Sequence, residues 1–405
     1  MFYVGLDVAL KNHRCNLLDQ EGEKIAKSLS FDSCQSGFLK LKNYLNGFSS
    51  KPENFTIGLE ATGSLWENLY EFLVTQGYKV NLLNPLQTSR FREVANKKAK
   101  TDDIDALVIA GLLRTQHAAA CYIPDEQVQS LRELTRLKNS FQDQLKNAKR
   151  QLISILVVTF PELQSLVKDL FSKLILNILK YYPTAKEIAL LKPRQILKIA
   201  RSIQGNNFDE AKAQALIDLA KNSIYSGKAK YARGHATIIL ASHIQSLSAT
   251  IEELEKEIQD ILKPKDSDRF NSVELLETIP GVGKKTIATL IAELGNISRF
   301  STCKQLIGYL GLFPNISESG KSKNPHPKLS KRGPRLAKKA LYMASVACLK
   351  HNQELRELYL KKLSQGKAVK QALIVVARKL VSIIFGMLKC NTAYIPNRVF
   401  VRAHY

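Results

Sequence analysis

Acids are scarce in this chain. Its 405 residues carry 36 aspartates and glutamates against 60 lysines and arginines, a formal net charge of +24. That imbalance points to a polyanionic partner, nucleic acid most simply, with an anionic membrane surface as the competing explanation. Paired cysteines are lacking too. The six present (Cys15, Cys34, Cys121, Cys303, Cys348 and Cys390) are scattered, without a CxxC pair. This excludes a disulfide frame and a structural zinc site, and fits a reducing cytoplasm. No apolar run reaches membrane-spanning length, since "ALIVVARKLVSIIFGML" is broken by Arg378 and Lys379. The opening "MFYVGLDVALKNHRC" meets acid and base too early for a signal peptide. With hydrophobic residues at 45%, the chain is globular rather than disordered, and its length suits two or three domains.

The first part alternates strand and helix patterns. "FYVGLDVA", "HRCNLLDQ" and "KIAKSLSF" predict a three-stranded meander, with "DQEGE" as a hairpin signal. "GFLKLKNYLNGF" predicts a helix with Phe38, Leu41, Tyr44 and Leu45 on one face. "NFTIGLEATG" is a fourth strand, "SLWENLYEFLVTQG" a helix closed by Gly77, and "YKVNLLNP" a fifth strand stopped by Pro85. Thr101 caps a helix reaching Arg114. The order β-β-β-α-β-α-β-α is that of an RNase H-like domain, placed at 1–120.

Residues 121–270 read as a helical middle. Leu131, Leu134, Lys138, Phe141, Leu145, Ala148, Leu152 and Ile155 form one run of three- and four-residue steps. Leu240, Ile244, Leu247, Ile251, Leu254, Ile258 and Ile261 form another. Such spacing predicts two coiled-coil arms, paired as a hairpin or between subunits; ordinary helix-bundle core is the other reading. Between them, from about Phe160 to Gly234, lies a helical insert of undisclosed role.

Residues 271–405 form the third part. "LLETIPGVGKKTIATLIAELG" reads as a helix-hairpin-helix, in which the amides of Gly281 and Gly283 could face a phosphate with Lys284 and Lys285 beside them. A plain αα-hairpin would look the same. The loop that follows holds Ser317, Ser319 and Ser322. Lys321, Lys323, Lys328, Lys331, Arg332, Arg335, Lys338 and Lys339 come next with no acid among them. Held by Gly and Pro beside hydroxyls, this run suits a phosphate backbone better than a bare solvated face.

Carboxylates are the exception to the scarcity at one place. Asp7 stands mid-strand among apolar neighbours, where a lone acid is costly to bury. Glu60 ends the fourth strand. Asp102 and Asp105 lie three apart, on one helical face, with Asp103 turned elsewhere as a bystander. Four carboxylates from adjacent strands and a helix would cage hard divalent cations, of which Mg²⁺ is the one that bridges phosphates. The plain reading is helix-capping acids and two strand-end acids.

At these residues the chain resembles a known family. "GLD", "LEATG", the "NP" after the fifth strand and "KTDDIDA" look like the RuvC-like domain of the DEDD insertion-sequence transposases. "IPGVGKKT", "LGLFP", "ESG" and "LSKRGPRLAKKALYMA" look like their C-terminal transposase domain. This is the IS one-ten group, which includes the Piv-type DNA invertases and bridge-RNA-guided recombinases. The resemblance implies a Mg²⁺-binding tetrad of Asp7, Glu60, Asp102 and Asp105, and a nucleophile, Ser319, that makes a covalent phosphoserine–DNA intermediate. It implies active sites shared between subunits, so a dimer or dimer of dimers, together with donor and target double-stranded DNA and a structured bridge RNA. It also implies a prokaryotic, nucleoid-associated setting. Two other functions use the same residues differently. A hydrolytic RuvC-like nuclease, such as a junction resolvase, would activate water with the four acids. A non-enzymatic nucleic-acid-binding protein would use only the hairpin and basic loop.

Overall fold

Residue alternation along five short strands decides what each face of the first sheet meets. The computed structural model describes residues 1–94, 101–116, 118–203, 208–263, 271–314, 318–319, 322–323 and 328–397, and divides into two units, Met1–Ile123 and Pro124–Tyr405. The first unit runs β1 (Phe2–Asp7), β2 (Asn12–Leu18), β3 (Leu29–Asp32), α1 (Gln35–Asn46), β4 (Phe55–Glu60), α2 (Glu67–Thr75), β5 (Lys79–Leu83), α3 (Pro85–Val94) and α4 (Asp102–Arg114). Its sheet has the order β3-β2-β1-β4-β5. The first three strands are antiparallel, and β1–β4 and β4–β5 are parallel. This is the mixed sheet that the element order predicts.

Period-two geometry sends Val4, Leu6, Ile57 and Leu59 into one core with Leu41 and Leu45 of α1 and Leu69 and Leu73 of α2. The alternate positions, Gly5 and Gly58, pair with each other across β1 and β4 and face α4. A Cβ on Gly5 would lie 1.9 Å from the Ala106 carbonyl oxygen, so a side chain there is impossible while α4 lies this close. On Gly58 it would meet Leu113 and Ile109 side chains at 2.8 and 2.9 Å. The two glycines form the bed of α4, and by the same alternation Asp7 and Glu60 belong to the α4 side. Asp7 ends β1 rather than lying mid-strand, since the register stops at the Asp7–Arg14 pair.

Pro85 also departs from expectation. It does not merely stop the fifth strand; it opens α3, with the Asn84 carboxamide oxygen accepting from the Leu86 amide at 2.9 Å. A proline in the first turn gives up an amide that has no partner there anyway. Thr101 caps α4 as predicted, its hydroxyl accepting from the Ile104 amide at 3.3 Å.

The second unit is helical. α5 (Glu126–Thr159) and α11 (Lys230–Leu262) pack against each other, and Leu131 near the start of one meets Ile258 and Leu262 at the end of the other, so the pair is antiparallel. The arms therefore form a hairpin within one chain. Between them α6 (Leu163–Leu166), α7 (Lys173–Tyr181), α8 (Ala185–Ile188), α9 (Pro193–Arg201) and α10 (Glu210–Lys221) build a core of their own on the far end of the hairpin. After α11 come α12 (Asn271–Glu277), α13 (Lys284–Leu294), α14 (Cys303–Tyr309), a two-residue pairing of β6 (Glu318–Ser319) with β7 (Ser322–Lys323), and α15 (Arg335–His351), α16 (Gln353–Ser364) and α17 (Val369–Cys390). α17 is apolar because it is the centre of this core, with Val376, Leu380, Val381, Ile384 and Met387 buried. Among the described residues no helix is long and apolar enough to cross a membrane. α13 is tied to α5 by Arg136, whose Nε and Nη2 donate to the two oxygens of buried Glu293 at 2.9 and 3.1 Å.

Candidate active site

The acids of the first unit gather at one end of the sheet. Asp7 and Glu60 finish the adjacent parallel strands β1 and β4, and Asp102 and Asp105 occupy the first turn of α4 above them. Their proximity shows in Asp7. Burial, then the charges of Asp105, Asp102 and Glu60, push its pKa up to about 6, with Arg92 pulling the other way. A carboxyl so placed is a group in want of a cation.

Two residues of α3 supply part of the compensation, and the sequence reading missed both. Arg92 Nη2 is ion-paired with Asp105 Oδ1, and its buried Nε has no hydrogen-bond partner. Thr88, also buried, donates to Glu60 Oε2 at 2.9 Å. The signal that could have found them is Asn84-Pro85, a cap and first-turn proline rather than a strand stop.

Asp103 is set apart, as expected of a bystander. It accepts hydrogen bonds from Ser28 and, at 3.1 Å, from buried Asn16, and Lys24 lies 3.5 Å away. The Ser28 hydrogen bond foremost holds its carboxyl below the usual range. It fastens α4 to β2 and the turn after it.

The donor set suits a hard divalent cation, since it is all oxygen and carries several negative charges. Yet among the described residues no three Asp, Glu, His or Cys side chains close around a point that could hold an ion. The four acids are neighbours, and the cage expected of them is open, with Asp105 turned to Arg92.

In the second unit, Ser319 lies on β6 opposite Ser322 of β7. Ser317 and Lys321 lie outside the described residues. Gly281 has φ +93°, and a Cβ there would meet the backbone of Cys348 at 2.8 Å, so this glycine lets the turn before α13 press onto α15. Gly283 caps α13 in open space. Lys284 pairs with Glu277 at 3.7 Å and Lys285 with Glu255 at 2.7 Å. Lys331 and Arg332 are exposed on a loop, and Arg335 is exposed at the start of α15. Ser330 donates its amide to Phe313 at 2.9 Å, and Lys338 Nζ donates to the Ser330 and Arg332 carbonyls at 3.1 and 2.7 Å. Gly333, φ +85°, lies where a Cβ would meet the Tyr309 carbonyl at 2.3 Å.

Comparison with known proteins matches two stretches of the chain. Residues 4–161 match a family described as "Transposase", and residues 273–360 match "Transposase IS116/IS110/IS902 family". The chain is 22% identical over 393 residues to the pilin gene-inverting protein of Moraxella lacunata, covering 97% of each. It is 25% identical over 400 residues to the insertion element IS110 43.6 kDa protein of Streptomyces coelicolor, covering 97% of this chain and 95% of that one. A shorter match, 27% over 158 residues, joins it to the transposase of insertion sequence element IS1111A of Coxiella burnetii, over 38% of this chain and 42% of that protein. Among solved structures, RuvC of T. thermophilus in complex with a Holliday junction substrate aligns with 30% of this chain and 99% of its own, at 12% identity and a TM-score of 0.23.

Proposed function

This chain belongs to the IS110/IS116 family of insertion-sequence transposases, and from that premise we propose that it cuts and rejoins DNA through a covalent serine–DNA intermediate. The observation that carries the reading is the gathering of Asp7, Glu60, Asp102 and Asp105 at one end of the sheet, where burial first and then the charges of the other three push the Asp7 carboxyl up to about 6. Acids kept together at a cost in stability mark a working site rather than a structural one.

In this reading Ser319 is the nucleophile. Its oxygen bonds to the phosphorus of a DNA phosphodiester while the bond to one deoxyribose oxygen breaks, and that oxygen leaves as a hydroxyl carrying the proton. The phosphoserine ester retains the bond energy, so a second deoxyribose hydroxyl can displace the serine and reseal the strand without ATP. A serine hydroxyl is a weak nucleophile and needs activation. Asp7, Glu60, Asp102 and Asp105 would hold Mg²⁺, which when bound supplies Lewis-acid polarisation of the phosphate. Arg92 holds Asp105 through an ion pair and Thr88 orients Glu60. Lys331, Arg332 and Arg335 hold backbone phosphates. The positive charge serves two polyanions, the DNA duplexes and a structured bridge RNA, in a homo-oligomer whose subunits complete one another's sites.

The test is a denaturation-resistant protein–DNA adduct formed with Mg²⁺. Ser319→Ala is expected to abolish it, and Ser317→Ala to spare it. An adduct that survives Ser319→Ala but vanishes in Ser317→Ala would move the nucleophile. DNA cleavage undiminished in Ser319→Ala, with no adduct at all, would favour the hydrolytic nuclease.

A further inference from the structure

A lysine stands where the helical spacing calls for core. Lys138 of α5 is 5% exposed, among the most buried charged residues described. Among the described residues its ammonium group has no hydrogen bond and no ion pair; it feels the attraction of Glu255 on α11 and the repulsion of Lys285. Glu255 is itself engaged by Lys285 at 2.7 Å. Burial holds the Lys138 pKa below its ordinary value, the mark of a cation short of a counter-charge.

What Lys138 faces is a pocket of about 200 Å³ where α5, α13 and α15 meet. Lys285, Thr286 and Thr289 contribute side chains from α13. Lys339 comes from α15, its Nζ 2.9 Å from Asn139 Oδ1 and 3.7 Å from Asp143 on α5. Asn139 and Gln142 complete the polar rim. Three lysines thus converge against two carboxylates, Glu255 and Asp143, each already paired with a lysine other than Lys138. A hydroxyl and converging ammonium groups are donors that suit a tetrahedral oxyanion.

We propose that this pocket binds a single backbone phosphate of nucleic acid, with Lys138 as its buried ligand. The identity of the carrier rests on the reading of the chain as one that acts on DNA; the phosphate chemistry of the pocket does not. Lys138 would engage the phosphate at the foot of the pocket while Lys285 and Lys339 close over it. The turn before α13 would thus act through the face it turns to α5, with Lys285 on that face and Lys284 paired with Glu277.

The experiment uses the full-length chain and Lys138→Met, which keeps the stem and removes the charge. In phosphate-free buffer the variant is expected to melt at a higher temperature than the wild type, because a buried uncompensated charge is gone. A merely structural lysine would give the opposite. Inorganic phosphate, against chloride at equal ionic strength, should raise the melting temperature of the wild type and leave the variant unmoved. Binding of a short mixed-sequence duplex should weaken roughly tenfold, with the slope of log K against log salt reduced by about one. Should Lys138→Met fail to fold, Thr286→Val at the same pocket should lose the phosphate-dependent shift. Equal affinities and slopes with no phosphate effect on the wild type would overturn the proposal. A phosphate effect with equal duplex slopes would overturn the nucleic-acid assignment in favour of free phosphate. Altered slopes in a chain that never forms the serine adduct would leave the pocket standing and remove the recombinase reading.

Discussion

Asp7 is held in a state that costs the fold something. Its ordinary pKa is 3.8 and its folded value about 6. Below about pH 4 the group is protonated folded or unfolded and costs nothing; above 6 it is ionised in both states and the penalty is full. Stability of the metal-free chain is therefore expected to fall as pH rises between those limits. Asp7→Asn should remove that part of the pH dependence and stabilise the chain at pH 7 by about 1–2 kcal/mol after solvent screening, while abolishing DNA cleavage. Urea titrations at pH 4 and pH 7 give the first result, and an adduct assay the second; a variant destabilised at pH 7 would show that Asp7 is structural. Asp7 was legible in the sequence because an acid in an apolar strand is conspicuous. Arg92 was not, since a lone arginine in a polar stretch has no signature until a helix brings it to Asp105.

At the scale of elements, the site depends on how closely α4 approaches the sheet. Gly5→Ala would thrust a methyl group into the Ala106 carbonyl, which neither backbone can yield without α4 lifting. The expected cost is about 3 kcal/mol, with the acids of α4 drawn away from those of β1 and β4. Denaturant midpoints and DNA cleavage should fall together, and unchanged values for both would refute the idea that this glycine sets the site. The strand order was readable because each strand is short, alternating and bounded by turns. The same is true of α4, whose Thr101 cap is local chemistry. α3 was hidden because Pro85 both ends strands and begins helices, and only the Asn84 side chain decides between them. The arms α5 and α11 were visible in their periodicity, but apolar spacing does not say whether the partner is the same chain, and the antiparallel contact settles that here. Lys138 was counted there as core by position, which is right for its burial and silent about the pocket beside it.

Across the whole molecule, the excess of 24 positive charges draws polyanions in and sets how strongly salt expels them. Replacing Lys331, Arg332 and Arg335 together with glutamine should weaken duplex binding on the order of 10²-fold at moderate salt and lower the salt slope by up to about three. Because the loop leading into α15 is fastened through Ser330, Lys338 and Gly333 rather than through these side chains, the melting temperature should hardly move. Unchanged slopes, measured by anisotropy over a range of chloride, would exclude the loop as a phosphate contact. A last consequence follows from the antiparallel arms. They run about 50 Å at 1.5 Å per residue, yet the chain departs at Glu126 and comes home at Leu262 through a single doorway. Beyond the stretch of the arms that meets α13 and α15, the helices from α6 to α10 are a cul-de-sac with a core of their own, which can be refurnished in descendants of this sequence without rerouting the traffic on either side.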